Sequence, residues 1–297
     1  MGSRAFFIVL IVFALSLLVA GFMLGSAGEI FEGLKTIVTS ESTLITDYFS
    51  IVGPGAALVN SAIVTLLSIA LIYFHREEPN GSSLMAIGCM AGFSLFGKNF
   101  VNIWPIIIGN WLYAIYRKEH FLRYTQVALL STALSPLVSF MALREGATAW
   151  HLVLALFAGL VIGFVMPPLS NYTYRIHNGM NLYNTGFAAG LLAMILVPIV
   201  HAFGAAPQSA YYWSTEYHNE TLIYLLILLI SMAAAAFILD RKVLTKYKEL
   251  VRSRGHIPND YLKKFGAPAV LLNTAICGGI GLAYILLTGG VLNGATL

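Results

Sequence analysis

The chain has 297 residues, of which 58% are hydrophobic and only 10% are charged, and its formal net charge is +4. Soluble domains carry roughly 25% charged residues, so this composition excludes a soluble globular protein. The placement of the charges along the chain is more informative than their sum, and the basic excess does not indicate a nucleic-acid partner.

Seven apolar runs are long enough to cross the roughly 30 Å hydrocarbon core of a bilayer. They cover residues 5–24, 55–74, 124–143, 150–165, 182–200, 222–239 and 268–287. Residues 82–117 are also apolar but are interrupted by "FGKNF", which predicts two shorter segments, 82–97 and 100–116. The sequence therefore predicts an all-α polytopic membrane protein with broken or re-entrant helices, and whether 82–97 spans or re-enters stays open.

The first run could also belong to a signal peptide, because Arg4 precedes it and small residues follow it. Its apolar stretch is longer than the roughly 7–15 residues of a signal peptide, which favours a retained helix.

An internal repeat connects two distant parts of the chain. The stretch "DYFSIVGPGAALVNSAIVTLLSIALIYFHREEPNGSSL" aligns without a gap with "DYLKKFGAPAVLLNTAICGGIGLAYILLTGGVLNGATL" at an offset of 213 residues. The offset pairs Asp47 with Asp260, Gly53 with Gly266, Asn60 with Asn273, Asn80 with Asn293 and Gly81 with Gly294. Matches of this kind at one offset predict two copies of a structural unit. The first copy covers residues 1–213, and residues 214–297 are the start of the second.

Charge predicts the direction of the repeat. Residues 27–53 carry one lysine and four acidic residues, whereas the equivalent residues 240–266 carry eight basic residues. The positive-inside rule then places 240–266 in the cytoplasm and 27–53 outside, with a cytoplasmic N-terminus in the cell membrane. Equivalent loops on opposite faces predict an inverted repeat of seven segments. A parallel repeat, in which one segment of 82–117 only dips into the membrane, stays open.

The second copy stops at "NGATL", where the first copy continues into its broken segment. We therefore expect a second unit truncated after two helices, and a complete form longer by about 130 residues. The alternative is a short protein that recruits its missing half from another chain. We expect the 297-residue chain alone to bind and transport nothing, and the extended form to do both.

Polar residues around the broken segment form the first part of a candidate substrate path. These residues are Asn80, Gly81, Ser82 and Ser83 at the start of the segment, and Lys98 and Asn102 after its break. Broken segments expose helix N-termini, whose free N–H groups favour polar or anionic groups. Two alternatives stay open: the glycines Gly88 and Gly92 serve close helix packing, and Lys98 is a loop residue at the outer surface.

The stretch "HNGMNLYNTGFAAG" forms the second part of the candidate path. Pro167 and Pro168 are expected to end the preceding helix. If the next helix begins early, then Asn178, Asn181 and Thr185 share one face of it, at about 100° per residue. Such a face is either a solute path or a polar seam between helices.

The apolar runs contain no Asp or Glu, and the chain has no metal-binding, nucleophile-elbow or nucleotide-binding motif. We therefore expect no enzyme, no cofactor and no metal, and a solute that is neutral or anionic. The sequence predicts a secondary transporter or facilitator of a small polar solute. A membrane-embedded scaffold without transport is the alternative, and assembly into a homo-oligomer stays open.

The phrases "GFSLFGKNFVNIWPIIIGNWL" and "HNGMNLYNTGFAAGL" resemble a family of multispanning bacterial membrane proteins known as a domain of unknown function. The resemblance covers most of the chain, implies a longer protein and brings no catalytic residues. A seven-plus-seven inverted repeat with a broken third segment is also similar to nucleobase and sulfate transporters, by analogy of architecture alone.

Overall fold

The computed structural model describes residues 3–41, 45–75, 80–144, 146–181, 183–202, 211–253 and 260–297, and these are almost entirely helical. The α-helices are α1 (Ser3–Leu24), α2 (Ala27–Thr39), α3 (Tyr48–Phe74), α4 (Gly81–Phe93), α5 (Trp104–Arg117), α6 (Thr125–Ser131), α7 (Ser135–Leu143), α8 (Ala149–His177), α9 (Asn184–Ala202), α10 (His218–Leu239), α11 (Val243–Arg252), α12 (Tyr261–Phe265) and α13 (Ala267–Leu287). Short 3-10 turns, Phe121–Tyr124 and Thr132–Leu134, flank α6. Two-residue strands β1 (Ile45–Thr46) and β2 (Tyr211–Tyr212) pair in parallel.

Seven helical segments of the described residues are long and apolar enough to cross a membrane. They are Phe6–Leu24, Tyr48–Phe74, Phe121–Leu143, Ala149–His177, Asn184–Ala202, His218–Leu239 and Ala267–Leu287. Each coincides with one of the apolar runs of the sequence, so the predicted all-α polytopic membrane protein is confirmed. Helix number and length do not decide the inverted repeat, which stays a prediction.

The apolar stretch after α3 forms two short helices, as the sequence predicts. α4 has 13 residues and α5 has 14. At 1.5 Å per residue each is about 20 Å long, less than the roughly 30 Å of a hydrocarbon core. Residues 94–103, here called the connection, join the two helices. Gly97 within it has a φ of 73°, and a Cβ there would lie only 2.9 Å from Cγ of Pro136, so this position requires glycine.

The end of α8 differs from the sequence prediction. The helix does not end at Pro167 and Pro168 but continues through them to His177. Membrane helices tolerate proline where neighbouring groups compensate for the lost backbone hydrogen bonds. The residues that end α8 are Asn178, with left-handed φ and ψ of 49° and 39°, and Gly179, with a φ of 80°. A left-handed residue at this place is a common helix ending.

α5 and α8 cross with their backbones in direct contact. A Cβ on Gly163 of α8 would overlap the carbonyl oxygen of Ile106. A Cβ on Gly109 of α5 would likewise overlap the backbone of α8. Small residues allow this approach at helix crossings in membranes. In contrast, a Cβ on Gly88 or Gly92 would have no heavy atom within 4 Å among the described neighbours. Close packing therefore does not explain those two glycines.

Two helices outside the apolar runs are amphipathic and were not predicted. α2 begins at a capping box in which Glu29 N donates to Ser26 Oγ at 3.3 Å and Ser26 N donates to Glu29 Oε2 at 2.8 Å. α11 lies in the basic segment and buries Val243 and Leu250. Both helices carry charged residues, so a search for apolar runs does not detect them.

Candidate functional site

Buried polar side chains surround the connection between α4 and α5. We call them the connection cluster: Asn60, Ser94, Lys98, Asn99, Asn102, Thr132 and Ser139. Each is exposed by 5% or less. They come from α3, from the connection itself and from the helical segment that follows α5, so the cluster forms only when distant parts of the chain pack together.

α3 binds the end of α4 through two side chains. Asn60 Nδ2 donates to the carbonyl oxygens of Ser94 at 2.7 Å and Lys98 at 3.0 Å. Ser61 Oγ donates to the carbonyl oxygen of Ala91 at 2.8 Å. The last carbonyls of a helix have no partner within the helix. These side chains supply that partner at buried positions, which stabilises the early end of α4.

Two asparagines stabilise the turn into α5. Asn102 Nδ2 donates to the carbonyl oxygen of Gly97 at 3.0 Å and to Ser139 Oγ at 2.8 Å. Asn102 Oδ1 accepts from Asn99 N, and Asn99 Oδ1 accepts from Asn102 N, both at 2.9 Å. Asn102, which the sequence singles out, therefore links the connection to α7. Asn110 donates instead to the carbonyl oxygen of Ile106 in its own helix.

Lys98 is buried in the cluster with an exposure of 2%, so it is not a loop lysine at the surface. Its Nζ donates to Met90 Sδ at 3.3 Å and lies 5.2 Å from the centre of the Phe93 ring. Thr132 Oγ1 donates to the same sulfur at 3.2 Å. The ion pairs found among the described residues do not include Lys98.

The Asn80 corner lies at the opposite end of α4 from Lys98, about 20 Å away along the helix. Asn80 caps α4 by accepting from Ser83 N at 2.8 Å, and Gly81 N donates to Asp260 Oδ1 at 3.1 Å. Ser82 is exposed. The structure therefore does not bring the two groups of predicted path residues on the broken segment together, and protein atoms already accept from Gly81 N and Ser83 N.

The second predicted stretch does not form the expected helical face. α9 begins only at Asn184, because the left-handed Asn178 and Gly179 form a turn. Asn181 lies in that turn and accepts from the backbone N–H of Tyr183 at 2.9 Å. Thr185 lies in the first turn of α9. Its partner is Ser170 Oγ, 3.2 Å away on α8. Among the described residues, no hydrogen bond joins this turn to the connection cluster. The hydroxyls of Ser170 and Thr185 form a polar seam between α8 and α9.

Two further contacts join the sequence stretches that the repeat aligns. In the Asp47 contact, Gly294 N donates to Asp47 Oδ1 at 3.2 Å and Ser214 N donates to Oδ2 at 2.9 Å. In the Asp260 contact, Gly81 N donates to Asp260 Oδ1 at 3.1 Å. Each aspartate also caps a short helix: Asp260 caps α12, and Asp47 caps residues 48–52, which the non-helical Gly53 separates from the rest of α3. The Asn-Gly corner of each aligned stretch thus binds the aspartate of the other stretch.

The local geometry of the two aligned stretches is also similar. The short helix after Asp47 ends at Gly53, with φ and ψ of 75° and 168°. The short helix after Asp260 ends at Gly266, with φ and ψ of 80° and 164°. Asp47 is fully buried. Burial raises the pKa of its carboxyl group, and its N–H donors from Ser214, Phe49 and Gly294 oppose that rise.

The sequence did not single out five members of the cluster as site residues, namely Asn60, Ser94, Asn99, Thr132 and Ser139. The repeat pairs Asn60 with Asn273, which is the only signal in the sequence that could have found it. Hydroxyl residues such as Thr132 and Ser139 are common in membrane helices, because they can bond to their own helix backbone. No pattern separates these two from the rest.

Two crevices border the interface of α10–α13 with the rest of the chain. One is lined by residues of α1, α3 and α10 together with Leu297, and the other by residues of α1, α4, α12 and α13. Most of their lining side chains are apolar, and neither includes a member of the connection cluster. In the described part of the chain, no three His, Cys, Asp or Glu residues are grouped to hold a metal ion.

The fold and the cluster define a polytopic helical membrane protein with a buried polar break between two short helices. The chain belongs to the family described as "Protein of unknown function (DUF1576)", which matches residues 26–202. The match extends from α2 to α9 and contains the connection cluster. The resemblance to a family of unknown function is thereby confirmed, and the match does not bear on a bacterial origin. No curated protein and no solved structure matches the chain.

Proposed function

We propose that this protein is a secondary transporter or facilitator of a small polar solute, neutral or anionic, and that the solute passes the connection cluster. The observation that carries the proposal is the buried polar break between α4 and α5, each too short to cross the membrane alone. Non-helical backbone at membrane depth is tolerated only where protein buries it or where it lines a water-filled cavity. Transporters use such broken helices to bind substrates.

The reciprocal aspartate contacts support an inverted repeat in this proposal. α3 begins at the Asp47 contact and ends a few residues before Gly81. α13 begins shortly after Asp260 and ends a few residues before Gly294. The two aligned helices therefore run between the same two contacts in opposite directions, as an inverted repeat requires. Two units related in this way can rock against each other around a central site.

The proposal places the protein in the cell membrane with its N-terminus in the cytoplasm. The bilayer and the solute are its partners, and a homo-oligomer stays open. It assigns no catalytic step, cofactor or metal. The eight basic residues of 240–266 support a cytoplasmic position for α11.

A membrane scaffold without transport is the second candidate, and one observation favours it. Asn102 and Asn99 direct their hydrogen bonds to protein atoms of the connection and of α7. A seam of this kind can be dry and structural. The two candidates differ in whether water reaches the cluster.

Cysteine labelling tests this difference. In a chain with Cys89→Ser and Cys277→Ser, single Thr132→Cys and Ser139→Cys variants are treated with a small water-soluble thiol reagent in native membranes. A transport path opens to water, so both should react. Ala155→Cys is the matched control, since Ala155 of α8 is equally buried but lies in an apolar cluster. If Thr132→Cys and Ser139→Cys stay as unreactive as the control, then the scaffold is the better account.

A further inference from the structure

We propose that Lys98 is the binding group for an anionic solute, through its ammonium group at the broken end of α4. This inference rests on the proposed transport function and narrows the solute to a small carboxylate or oxyanion. Its basis is a buried lysine whose contacts with the described residues include no carboxylate.

The contacts of Lys98 are too weak to compensate a buried charge. An ammonium group has three donors and no acceptor, and a thioether sulfur is a weak acceptor. The side chain of Lys98 is 2% exposed, and its contacts include Met90 Sδ at 3.3 Å and the face of the Phe93 ring at 5.2 Å. The Cys89 thiol also interacts with it electrostatically, but a thiol is only a weak acceptor. A buried charge is costly unless it is paired and hydrogen-bonded. An anion near Nζ would supply the missing acceptor.

The buried carboxylate of Asp47, the obvious internal candidate for a partner, already accepts from other groups. Asp47 is the only fully buried acidic residue in the described ranges. Its Oδ1 accepts from Phe49 N and Gly294 N, and its Oδ2 accepts from Ser214 N. These bonds direct both oxygens to backbone N–H groups. Lys98 is therefore available to a ligand from outside the chain.

The surroundings of Lys98 suit a small anion. Thr132 Oγ1 and Lys98 Nζ converge on the same sulfur, Met90 Sδ, at 3.2 Å and 3.3 Å. If Met90 turned away, an anionic oxygen in place of the sulfur could accept from both donors. Met has three rotatable bonds and adapts readily to such a change. The Thr132 hydroxyl has one proton, which it also donates to the carbonyl oxygen of Leu129 at 2.5 Å, so it would have to turn from that carbonyl to the anion, and Lys98 Nζ is the main donor. Intramembrane lysines commonly mark ion or substrate pathways.

The experiment uses the purified 297-residue chain in lipid nanodiscs. Because the connection cluster lies wholly within residues 60–139, we expect this chain to bind the anion, in contrast to the expectation from the repeat that it binds nothing alone. Sodium sulfate, phosphate and succinate are the anionic probes, and glycerol and acetamide are the neutral probes. Ionic strength is held constant with sodium chloride. The thermal unfolding midpoint is measured for wild type, Lys98→Met and Lys98→Arg. Lys35→Met is the control, because Lys35 lies on the surface in an ion pair with Glu32.

At least one anionic probe should raise the midpoint of wild type and of Lys35→Met. Lys98→Met should weaken its apparent affinity by roughly 30-fold or more, as loss of one partner of a buried charge pair does. Lys98→Arg keeps the charge and should keep part of the effect. Because Lys98→Met is close to isosteric, an unchanged midpoint without probe would show that the variant is folded. If Lys98→Met does not fold, then the apparent affinities of Lys98→Arg and Met90→Leu for the anionic probe are compared with that of wild type.

The outcomes separate this inference from the proposed function. If the neutral probes stabilise the protein and no anion does so through Lys98, then the anionic solute is excluded while a transport path survives. If an anion stabilises wild type and Lys98→Met equally, then Lys98 is not the binding group. If Thr132→Cys and Ser139→Cys are also unreactive to thiol reagents, then the transport function fails as well.

Discussion

Asparagine replaces helical hydrogen bonding where α4 stops and α5 has not begun. An amide side chain offers two donors and an acceptor with two lone pairs, so one residue can satisfy several backbone groups. Asn60, Asn99 and Asn102 do this for the connection. Unsatisfied backbone groups cost several kcal/mol each in hydrocarbon. The three asparagines are therefore a structural condition for having a broken helix at this depth.

At this scale we predict that Asn102→Leu destabilises the fold. The change removes the donor to Gly97 O and the acceptor from Asn99 N, leaving buried backbone groups without partners. The free energy of unfolding should fall by about 2 kcal/mol, which thermal unfolding in detergent measures. Thr274→Ala is the control, because the Thr274 hydroxyl bonds to its own helix on an exposed face, and it should have little effect. Equal effects of the two variants would contradict a structural role for Asn102.

Lys98 and Asn102 could be found from the sequence because a charge or an amide stands out among apolar residues. Thr132 could not, because hydroxyl residues are common in such helices and its partner Met90 lies 42 residues away. For Asn60 the repeat gave a signal, but no local pattern ties it to Ser94, which lies 34 residues away. Local patterns carry no information about which distant segments meet. The same limit explains why the Asn80 corner and Lys98 looked like one site in the sequence, although α4 separates them.

The helices of this chain show which features a sequence reveals at the scale of an element. Apolar length is a local property, and it predicted all seven long segments. α2 and α11 were missed because their apolar residues alternate with charges around the helix. The end of α8 was misplaced because proline was taken to end a helix, as it does in soluble proteins. In a membrane, neighbouring helices compensate for the backbone hydrogen bond that proline removes.

The crossing of α5 and α8 leads to a prediction with a matched control. Gly163→Ala introduces a Cβ against the backbone of α5 and should lower the free energy of unfolding by about 1–3 kcal/mol, as overpacking does. Gly88→Ala makes the same chemical change where the Cβ has open space. It should be neutral or stabilising, because alanine is the better helix former. Thermal unfolding of both variants measures this difference in stability. If Gly163→Ala left the stability unchanged, then the two helices would be further apart than described.

The two aspartate contacts tie the molecule together at opposite ends of α3. They differ in environment, since Asp47 is fully buried and Asp260 is partly exposed. Asp47 accepts from three backbone N–H groups, those of Phe49, Ser214 and Gly294, which lie in three different segments. Water can replace a lost bond at Asp260 more easily than at Asp47.

We therefore expect Asp47→Ala to destabilise the protein more than Asp260→Ala. Loss of Asp47 leaves buried donors without an acceptor, at about 1–3 kcal/mol each, whereas an exposed bond contributes nearer 1 kcal/mol. Unfolding midpoints of the two variants in the same detergent test the order. The reverse order would mean that the Asp260 contact is the more protected of the two.

The topology of the whole chain is open to a direct test. Reporter fusions after Asp47 and after Lys246 should report opposite sides of the membrane, with the second in the cytoplasm, because the basic residues of 240–266 resist translocation. A fusion after Lys118 should agree with the second. If the first two fusions report the same side, then the repeat is parallel and one segment of 82–117 does not cross.

The two contacts also become possible at different times during synthesis. Gly294 is added 247 residues after Asp47, with which it bonds. At roughly 5–20 residues per second this interval is about 12–50 s. The Asp260 contact has no such delay, since Gly81 is already in place when Asp260 is made. Phe49 N and Ser214 N are made earlier, so during insertion the Asp47 carboxylate lacks only its Gly294 donor until residue 294 arrives. We expect the Asp47 contact to close after the Asp260 contact, so its closure would report that the nascent chain has assembled correctly.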